Sequence, residues 1–594
     1  MNEEIKKWGN SRLGRTRGKE EGEGFISRFT HHVLWLTIIS VLLGVSASHG
    51  WVDGTPYFFK HFPNLKEASA VLSAPAQPNA PQLAVGDRKS FFSINFVTHE
   101  QYIVQTTLRA IGEFCYVFVE DSQWRRTAHP RTVESVRSAF DDAVPADARR
   151  GVYQIETELF GPPPDIDGDK RIYLLLLDIR DGATRRGGFI AGFFSPVNQQ
   201  RGVLRHPELG VPIRSNELDM LYIDTHPLDA GSQEGLGVLA HEFQHLIHWR
   251  YDTNETVWVN EGCSDYAVFL CGYSVRGHVE QFEQNPRVSL VDWPNGTQSQ
   301  LAHYGAAYLK MLYLHEHYGG SETIAAIVRN RGNGTAGVNS ALISRGVGRA
   351  FPAIYADWKV ANYLDNPQLA EGQYAYQNEQ LNLRAQREHR SYPIAVKNSI
   401  LAGYATDYVT FFAGGGNVGL NLAFESDGRQ PYDVKAVEFR SGQPVAVHNV
   451  PLTATGKGNL LIPDFGRSVE KIILIPSVQP QGDLPGGRGT SSYSYSAQQA
   501  GKVEFRTTVL PNPVHPRYWD IIAIPDDSIG VSAPLVTIRS GSVSIRSEQP
   551  MTAVQDGAIY THPLYLSQEV NPANVRWEIF FLGESVGEGD LGGQ

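Results

Sequence analysis

GLGVLAHEFQHLIHWRYDTNETVWVNEGCSDYAVFL, Gly235 to Leu270, is the most informative stretch of the chain. Leu236, Val238, Leu239, Phe243, Leu246 and Ile247 recur at helical spacing and predict a mostly buried helix over residues 236–250. On it, His241-Glu242-Phe243-Gln244-His245 fits the His-Glu-x-x-His pattern. Residues four apart stand one above the other on a helix, so both imidazoles can reach one metal ion. Glu242 lies beside them, placed to take a proton from a zinc-bound water. With 19 histidines in the chain, chance supplies this pattern about 0.03 times.

A catalytic zinc takes three protein ligands and keeps one position open. His248 shares the helix face but lies too far along the axis to converge with the other two, and it reads as a capping or supporting group. Tyr251 stands where a metzincin needs a histidine. Glu255 sits in a polar loop with no helix to aim it, whereas Glu261 follows Trp258-Val259-Asn260 and begins a second helical segment over 261–271. Glu261 is therefore the preferred third ligand. Asp265, one turn further on, can accept a hydrogen bond from the non-metal nitrogen of a ligating histidine. A third helical stripe over 299–318, ending at Gly319-Gly320, carries His303 and Tyr304. Tyr304 is the first candidate, and His303 the second, to stabilise the oxyanion of a tetrahedral intermediate.

Working outward, RIYLLLLDI (171–179), DMLYID (219–224) and YVFVED after Cys115 read as strands, and residues 98–112 as a helix. Beyond residue 390, short strand-like runs such as YVTFF, VKAVEFR, KIILIP and RWEIFFL alternate with Gly, Asn, Asp or Pro, a pattern that predicts one or two β-sandwiches. The expected fold is α+β, with an N-terminal mixed sheet and C-terminal helices, followed by those sandwiches. The boundaries read as 1–47 signal peptide, 48–90 Pro/Ala-rich linker or pro-segment, 91–385 metallopeptidase domain, 390–500 first sandwich and 501–594 second. The Gly/Ser-rich residues 482–502 are the expected seam.

A chain of 594 residues with 41% hydrophobic residues, 58 Gly and 34 Pro is long enough for several cores and rich in turns. Its net charge of −11 argues against a nucleic-acid partner. Three cysteines exclude a disulfide-built scaffold, and a Cys115 pairing with Cys263 or Cys271 is left open. The apolar run Val33–Ala47 is shorter than the about 20 residues of a membrane-spanning helix. Small residues at Val45-Ser46-Ala47 suit a signal-peptide cut, which predicts a secreted protein with no later membrane span. An uncleaved anchor is the alternative. Asp165-Ile166-Asp167-Gly168-Asp169 has the opening of a calcium loop but lacks the glutamate at loop position 12. Calcium is thus an open option beside a simple Asp/Gly turn.

Asn260-Glu261-Gly262-Cys263-Ser264-Asp265 resembles the Asn-Glu-x-x-Ser-Asp of thermolysin-like peptidases, and Trp258-Val259-Asn260-Glu261-Gly262 the Trp-Leu-Asn-Glu-Gly of M1-type aminopeptidases. With HEFQH before them and HYGAAYL after, the order is most similar to the hyicolysin-like M30 peptidases and related secreted bacterial zinc peptidases, over residues 95–380. Within the gluzincins this resemblance implies a thermolysin-like fold, His241, His245 and Glu261 as ligands of one catalytic zinc, and Glu242 as general base. The connection from His245 to Glu261 is shorter than in thermolysin-like enzymes, and SQEGLGVLA stands where an M1 exopeptidase carries Gly-x-Met-x-Asn. An endopeptidase acting on protein or peptide substrates follows, with the C-terminal β-modules as candidates to bind a surface or substrate. The competing readings are an inert peptidase-like adhesion protein and a zinc hydrolase of a non-peptide bond.

Overall fold

The computed structural model describes residues 51–67, 83–183, 188–207, 209–294, 297–414, 419–480, 489–499, 504–526, 533–554, 559–581 and 584–591. The proposed signal peptide lies outside them. Among the described residues no helix is long and apolar enough to cross a membrane.

A seven-stranded sheet organises the first part of the chain. Its strands are β1 (Trp51–Asp53), β2 (Arg88–Ile94), β3 (Gln101–Ile111), β4 (Cys115–Glu120), β5 (Ile172–Leu177), β6 (Phe189–Phe194) and β9 (Met220–Asp224), while β7 (Val203–Arg205) and β8 (Pro212–Arg214) pair apart from it. Across the sheet the order is β1-β6-β9-β5-β4-β3-β2. β4, β5 and β9 run parallel, and β6 lies antiparallel to β9. β5 and β9 are central and buried along their whole length, which is why their sequences are unbroken apolar runs.

Two expectations fail here. Residues 101–111 form a strand, not a helix. Ile103, Val104, Thr106, Thr107 and Ile111 are β-branched, and that enrichment outweighs an apolar spacing that suits either element. Folded structure also begins well before residue 91. β1 and helix α1 (Thr55–His61) lie inside the span read as linker and β2 begins in it, with Trp51, Val52, Phe58, Phe62 and Leu65 buried. The Pro/Ala-rich centre of that span lies outside the described residues.

Helices α2 (Pro130–Asp141) and α3 (Val152–Phe160) precede α4 (Gln233–Tyr251), which packs on β6 and β9. Ser232 caps α4, its hydroxyl accepting from the Gly235 N–H at 3.1 Å. Next come α5 (Val257–Leu270), α6 (Arg276–Gln284), α7 (Thr297–His317), α8 (Ser321–Val328), α9 (Gly334–Ser344) and α10 (Phe351–Leu364). The close approaches among them fall at glycines. A Cβ on Gly262 of α5 would lie 2.9 Å from the Ala307 carbonyl oxygen of α7, and one on Gly305 would lie 2.2 Å from that of His278 on α6.

Beyond α10, Arg387–His389, Val409–Phe412, Lys471–Val478, Tyr432–Arg440 and Gln443–Asn449 form one sheet, in that order. Ile394–Leu401, Ser491–Gln499, Leu420–Ser426 and Lys457–Ile462 form a second. Both sheets contribute to one apolar core. Two four-stranded sheets between Phe505 and Asp590 share another. The seam expected over 482–502 contains the strand Ser491–Gln499. Tyr493, Tyr495 and Ala497 point into the core and alternate with serines and a glutamine, so a Ser-rich composition concealed a period-two pattern.

Candidate metal centre

α4 and α5 lie side by side, and their facing turns bring the histidine pair to the glutamate. His241 Nε2 lies 3.1 Å from His245 Nε2 and 3.2 Å from Glu261 Oε2, and His245 Nε2 lies 3.5 Å from that same oxygen. A tetrahedral ion with bonds of 2.0–2.1 Å needs ligand atoms roughly 3.3 Å apart, so this donor set suits zinc in chemistry and in spacing.

The far nitrogens are oriented by partners. His241 Nδ1 lies 3.0 Å from Asp265 Oδ1, and His245 Nδ1 lies 2.5 Å from Asn260 Oδ1. Each Nδ1–H faces a fixed acceptor, so each Nε2 can present a lone pair inward. Asp265 Oδ2 in turn lies 2.8 Å from His278 Nδ1 of α6. Ser264 Oγ donates to Gln244 Oε1 at 2.6 Å and lies 3.1 Å from His245 Nδ1. Asp265 thus stands where it was expected, whereas Asn260, Ser264 and His278 were not singled out, although the first two lie inside the decisive motif.

A fourth acid was missed. Asp53 at the end of β1 reaches the same point, its Oδ2 lying 3.1 Å from His245 Nε2. One ligand atom each from Asp53, His241, His245 and Glu261 falls within 4.8 Å of the others. No sequence signal marked Asp53, which stands in the span read as linker. Its Oδ1 accepts from the Thr55 N–H and hydroxyl, both at 2.9 Å.

All these groups are buried. Burial opposes a charge on His241, but its bonds to Asp265 and Glu261 prevail and hold the imidazole up at about 10. Burial likewise opposes the Asp265 carboxylate, and the neighbouring His278 and His241 bring it down to about 2. Desolvation, and then the Asp53 charge, pushes Glu242 well above the usual carboxylate range. Buried acids crowd two imidazoles here, an imbalance that a divalent cation would relieve.

Glu242 follows His241 on α4. Its Oε2 lies 3.4 Å from Thr55 Oγ1, while its Oε1 has no hydrogen-bond partner. A Cβ on Gly192 of β6 would lie 2.8 Å from Oε1, so the bare backbone at that position makes room for the carboxylate. Tyr304 of α7 faces the site, its hydroxyl accepting the Asp53 N–H at 3.2 Å. His303 turns away and donates from Nδ1 to the Ser289 carbonyl at 2.7 Å.

The remaining candidates take structural places. His248 is buried and pushed down to about 3 by burial and then by His245. Glu255 Oε1 accepts from the Gly334 N–H at 2.7 Å, at the start of α9. At the end of α7, His315 Nδ1 lies 2.9 Å from Tyr266 OH and His317 Nε2 lies 3.0 Å from the Ala375 carbonyl. All three cysteines are buried and free, so the open disulfide is not formed. Asp165 and Asp167 are joined by Asp219, which binds the Ile166 N–H and Gln199 Nε2, both at 2.9 Å.

No protein-family profile matches the chain. Among curated proteins it is similar to the neutral metalloprotease ShpI of Staphylococcus hyicus, 23% identical over 248 residues, or 39% of this chain and 51% of that protein. The chain therefore spans about half the length of that relative, and the similarity supports a metallopeptidase. Likenesses to solved structures include the pre-peptidase C-terminal domain of a collagenase from Bacillus anthracis, 15% identical over 20% of this chain and all of that domain at a TM-score of 0.14. Tripeptidyl peptidase 2 is 7% identical over 27% of this chain and 18% of its own, at a TM-score of 0.15. At such scores neither bears on the fold.

Proposed function

We propose that the chain is a secreted, zinc-dependent endopeptidase of the gluzincin type. The observation that carries this reading is the convergence of His241 Nε2, His245 Nε2 and Glu261 Oε2 at tetrahedral spacing, beside a Glu242 carboxylate oxygen with no partner. When bound, zinc supplies a Lewis acid that polarises both a water molecule and the scissile carbonyl. Asp265 and Asn260 hold the two imidazoles in the ligating tautomer. Glu242 takes the proton of the attacking water and delivers it to the leaving amine. The Tyr304 hydroxyl donates to the oxyanion as charge develops there. The segment before His241 lacks the amine-anchoring motif of the aminopeptidases, which favours cleavage within chains. The C-terminal sandwiches bind a surface or substrate in this reading, and a groove of about 1120 Å³, lined in part by Phe424, Tyr495, Tyr560, Lys397 and Lys457, offers a place for it.

The test combines metal analysis with digestion of unfolded casein, with and without chelator, before and after limited proteolysis of the chain. The expected result is about one zinc per chain and cleavage that the chelator stops. Absence of bound zinc, or chelator-resistant cleavage, would overturn the assignment.

A further inference from the structure

We infer that residues 51–61 form an inhibitory segment of the uncleaved chain, in which Asp53 is the fourth metal ligand and β1 fills the peptide-binding edge of β6. The inference rests on the zinc-peptidase reading above and adds to it a built-in occupant of the cleft.

The segment touches every working part of the proposed site. The Asp53 carboxylate stands 3.1 Å from His245 Nε2, and its ligand atom falls within 4.8 Å of those of the other three. Two histidines and two carboxylates make a closed, four-coordinate set of the kind zinc takes when it is structural, whereas catalysis requires one position for water. Thr55 Oγ1 stands 3.4 Å from Oε2 of the general base Glu242, and the Tyr304 hydroxyl oxygen accepts from the Asp53 N–H at 3.2 Å, which puts the segment against both groups. Trp51 packs on His278 with ring centroids 4.6 Å apart, and its carbonyl accepts from His278 Nε2 at 3.1 Å. The clustered metal donors, Glu242, Tyr304 and the support of His241 are therefore all contacted by a few consecutive residues.

The backbone of the segment is seated as a bound peptide would be. Among the described residues β6 would otherwise be the edge of the sheet, and β1 adds to it as a short parallel strand that pairs with no other. Strand addition at an exposed edge is a general way to bind an extended peptide. The Gly54 N–H donates to the Gly192 carbonyl at 2.9 Å, and the Phe194 N–H to Thr55 Oγ1 at 2.9 Å. Gly54 lies flush on the sheet, where a Cβ would meet Phe96, Ile190 and Phe193 at 2.9–3.0 Å. The six strands from β6 to β2 are continuous without β1, so the segment can leave without breaking a pairing between any others. The group offered to the metal is a side chain and not a scissile carbonyl, so the segment holds the site without being its substrate.

Asp53→Asn and Gly54→Val in the full chain test this. The first removes the ligand charge, and the second wedges the segment off the sheet while keeping Asp53. Zinc affinity is read by chelator competition, and access to the metal by the visible spectrum of the cobalt-substituted protein on adding acetohydroxamate. The uncleaved wild-type chain should hold zinc at least about tenfold more tightly than either variant, with a cobalt spectrum that acetohydroxamate leaves unmoved. Both variants should respond to acetohydroxamate and cleave casein faster than the wild-type chain. Equal affinity and an equal spectral response in all three zinc-loaded chains would overturn the inference and leave the peptidase assignment standing. Absence of zinc from all three would overturn both.

Discussion

Glu242 is the residue whose loss should separate chemistry from metal binding most cleanly. It is not among the clustered donor atoms, so Glu242→Gln should retain stoichiometric zinc while casein cleavage by the activated protein falls about 10²–10⁴-fold. Glu261→Ala should lose the metal, and Asp265→Ala should keep it with affinity lowered about 10–100-fold, because Asp265 orients the His241 ring without offering a donor to the cluster itself. Chelator titration of the three proteins gives that ranking, and stoichiometric zinc in Glu261→Ala would remove that residue from the ligand set. Gly192 tests the position of the base. An added methyl would press on the Glu242 carboxylate and on Val238, so Gly192→Ala should lower kcat about 10²-fold with zinc content unchanged. The clustering of these donors was legible in the sequence because helix geometry makes the spacing of His241 and His245 a local property, and Glu261 and Asp265 repeat that logic on the next helix. Asp53 was not legible. It meets the histidines only through the sheet, and its short stretch of chain has neither period nor motif.

Elements meet the site through helix packing and through the edge strand β1 and its neighbour β6. Gly305 lets α7 lie against α6 and so presents Tyr304 to the cluster. Gly305→Ala should destabilise the protein by about 1–3 kcal/mol, measured by denaturant unfolding, because the methyl meets backbone that cannot rotate away. Asp219, just before β9, gives a pH dependence. Burial is the main cause that pushes its carboxyl up to about 8, with Asp167 and Asp165 adding to it. An unfolded aspartate titrates near about 4. Between those values the folded chain binds the extra proton, so the stability from this group is complete below pH 4 and lost as pH rises through 8. The slope reaches about 1.4 kcal/mol per pH unit. Asp219→Asn should flatten that part of a Tm-against-pH curve, and an unchanged slope would remove Asp219 as its source. The central strands and the long helices were readable from apolar runs and from 3.6-residue spacing. β3 was not, because four or five apolar positions fit a helix face and a twisted strand equally well until partner strands decide between them.

Across the whole molecule, the two C-terminal sandwiches differ in how they are attached. Tyr404, Tyr408, Val437, Phe439, Ile473 and Ile475 of the first belong to the same apolar core as α10 and the metal-site helices. Lys359 of α10 reaches into that sandwich, its buried ammonium donating to the carbonyls of Asp433 at 2.8 Å and Ile475 at 3.1 Å. Tyr355 OH donates to the Tyr404 carbonyl at 2.7 Å, and Ser289 Oγ to that of Gly403 at 2.6 Å. The second sandwich has its own core, to which the first contributes Leu461. A chain ending after Gln499 should therefore fold, bind zinc with the affinity of the full protein and cleave a short peptide at the same rate after activation. Leu461 loses its cover, and the groove loses the wall that Ala533, Ala553 and Tyr560 supply. A chain ending after Arg384 strips the cover from Tyr355 and the rest of the apolar face of α10 that the sandwich buries, and should be insoluble or melt well below the full protein. Zinc content and thermal melts of the two truncations decide this. A well-folded, zinc-loaded product from the shorter one would show that the first sandwich is an appendage and not part of the scaffold that holds α10 against the metal-site helices.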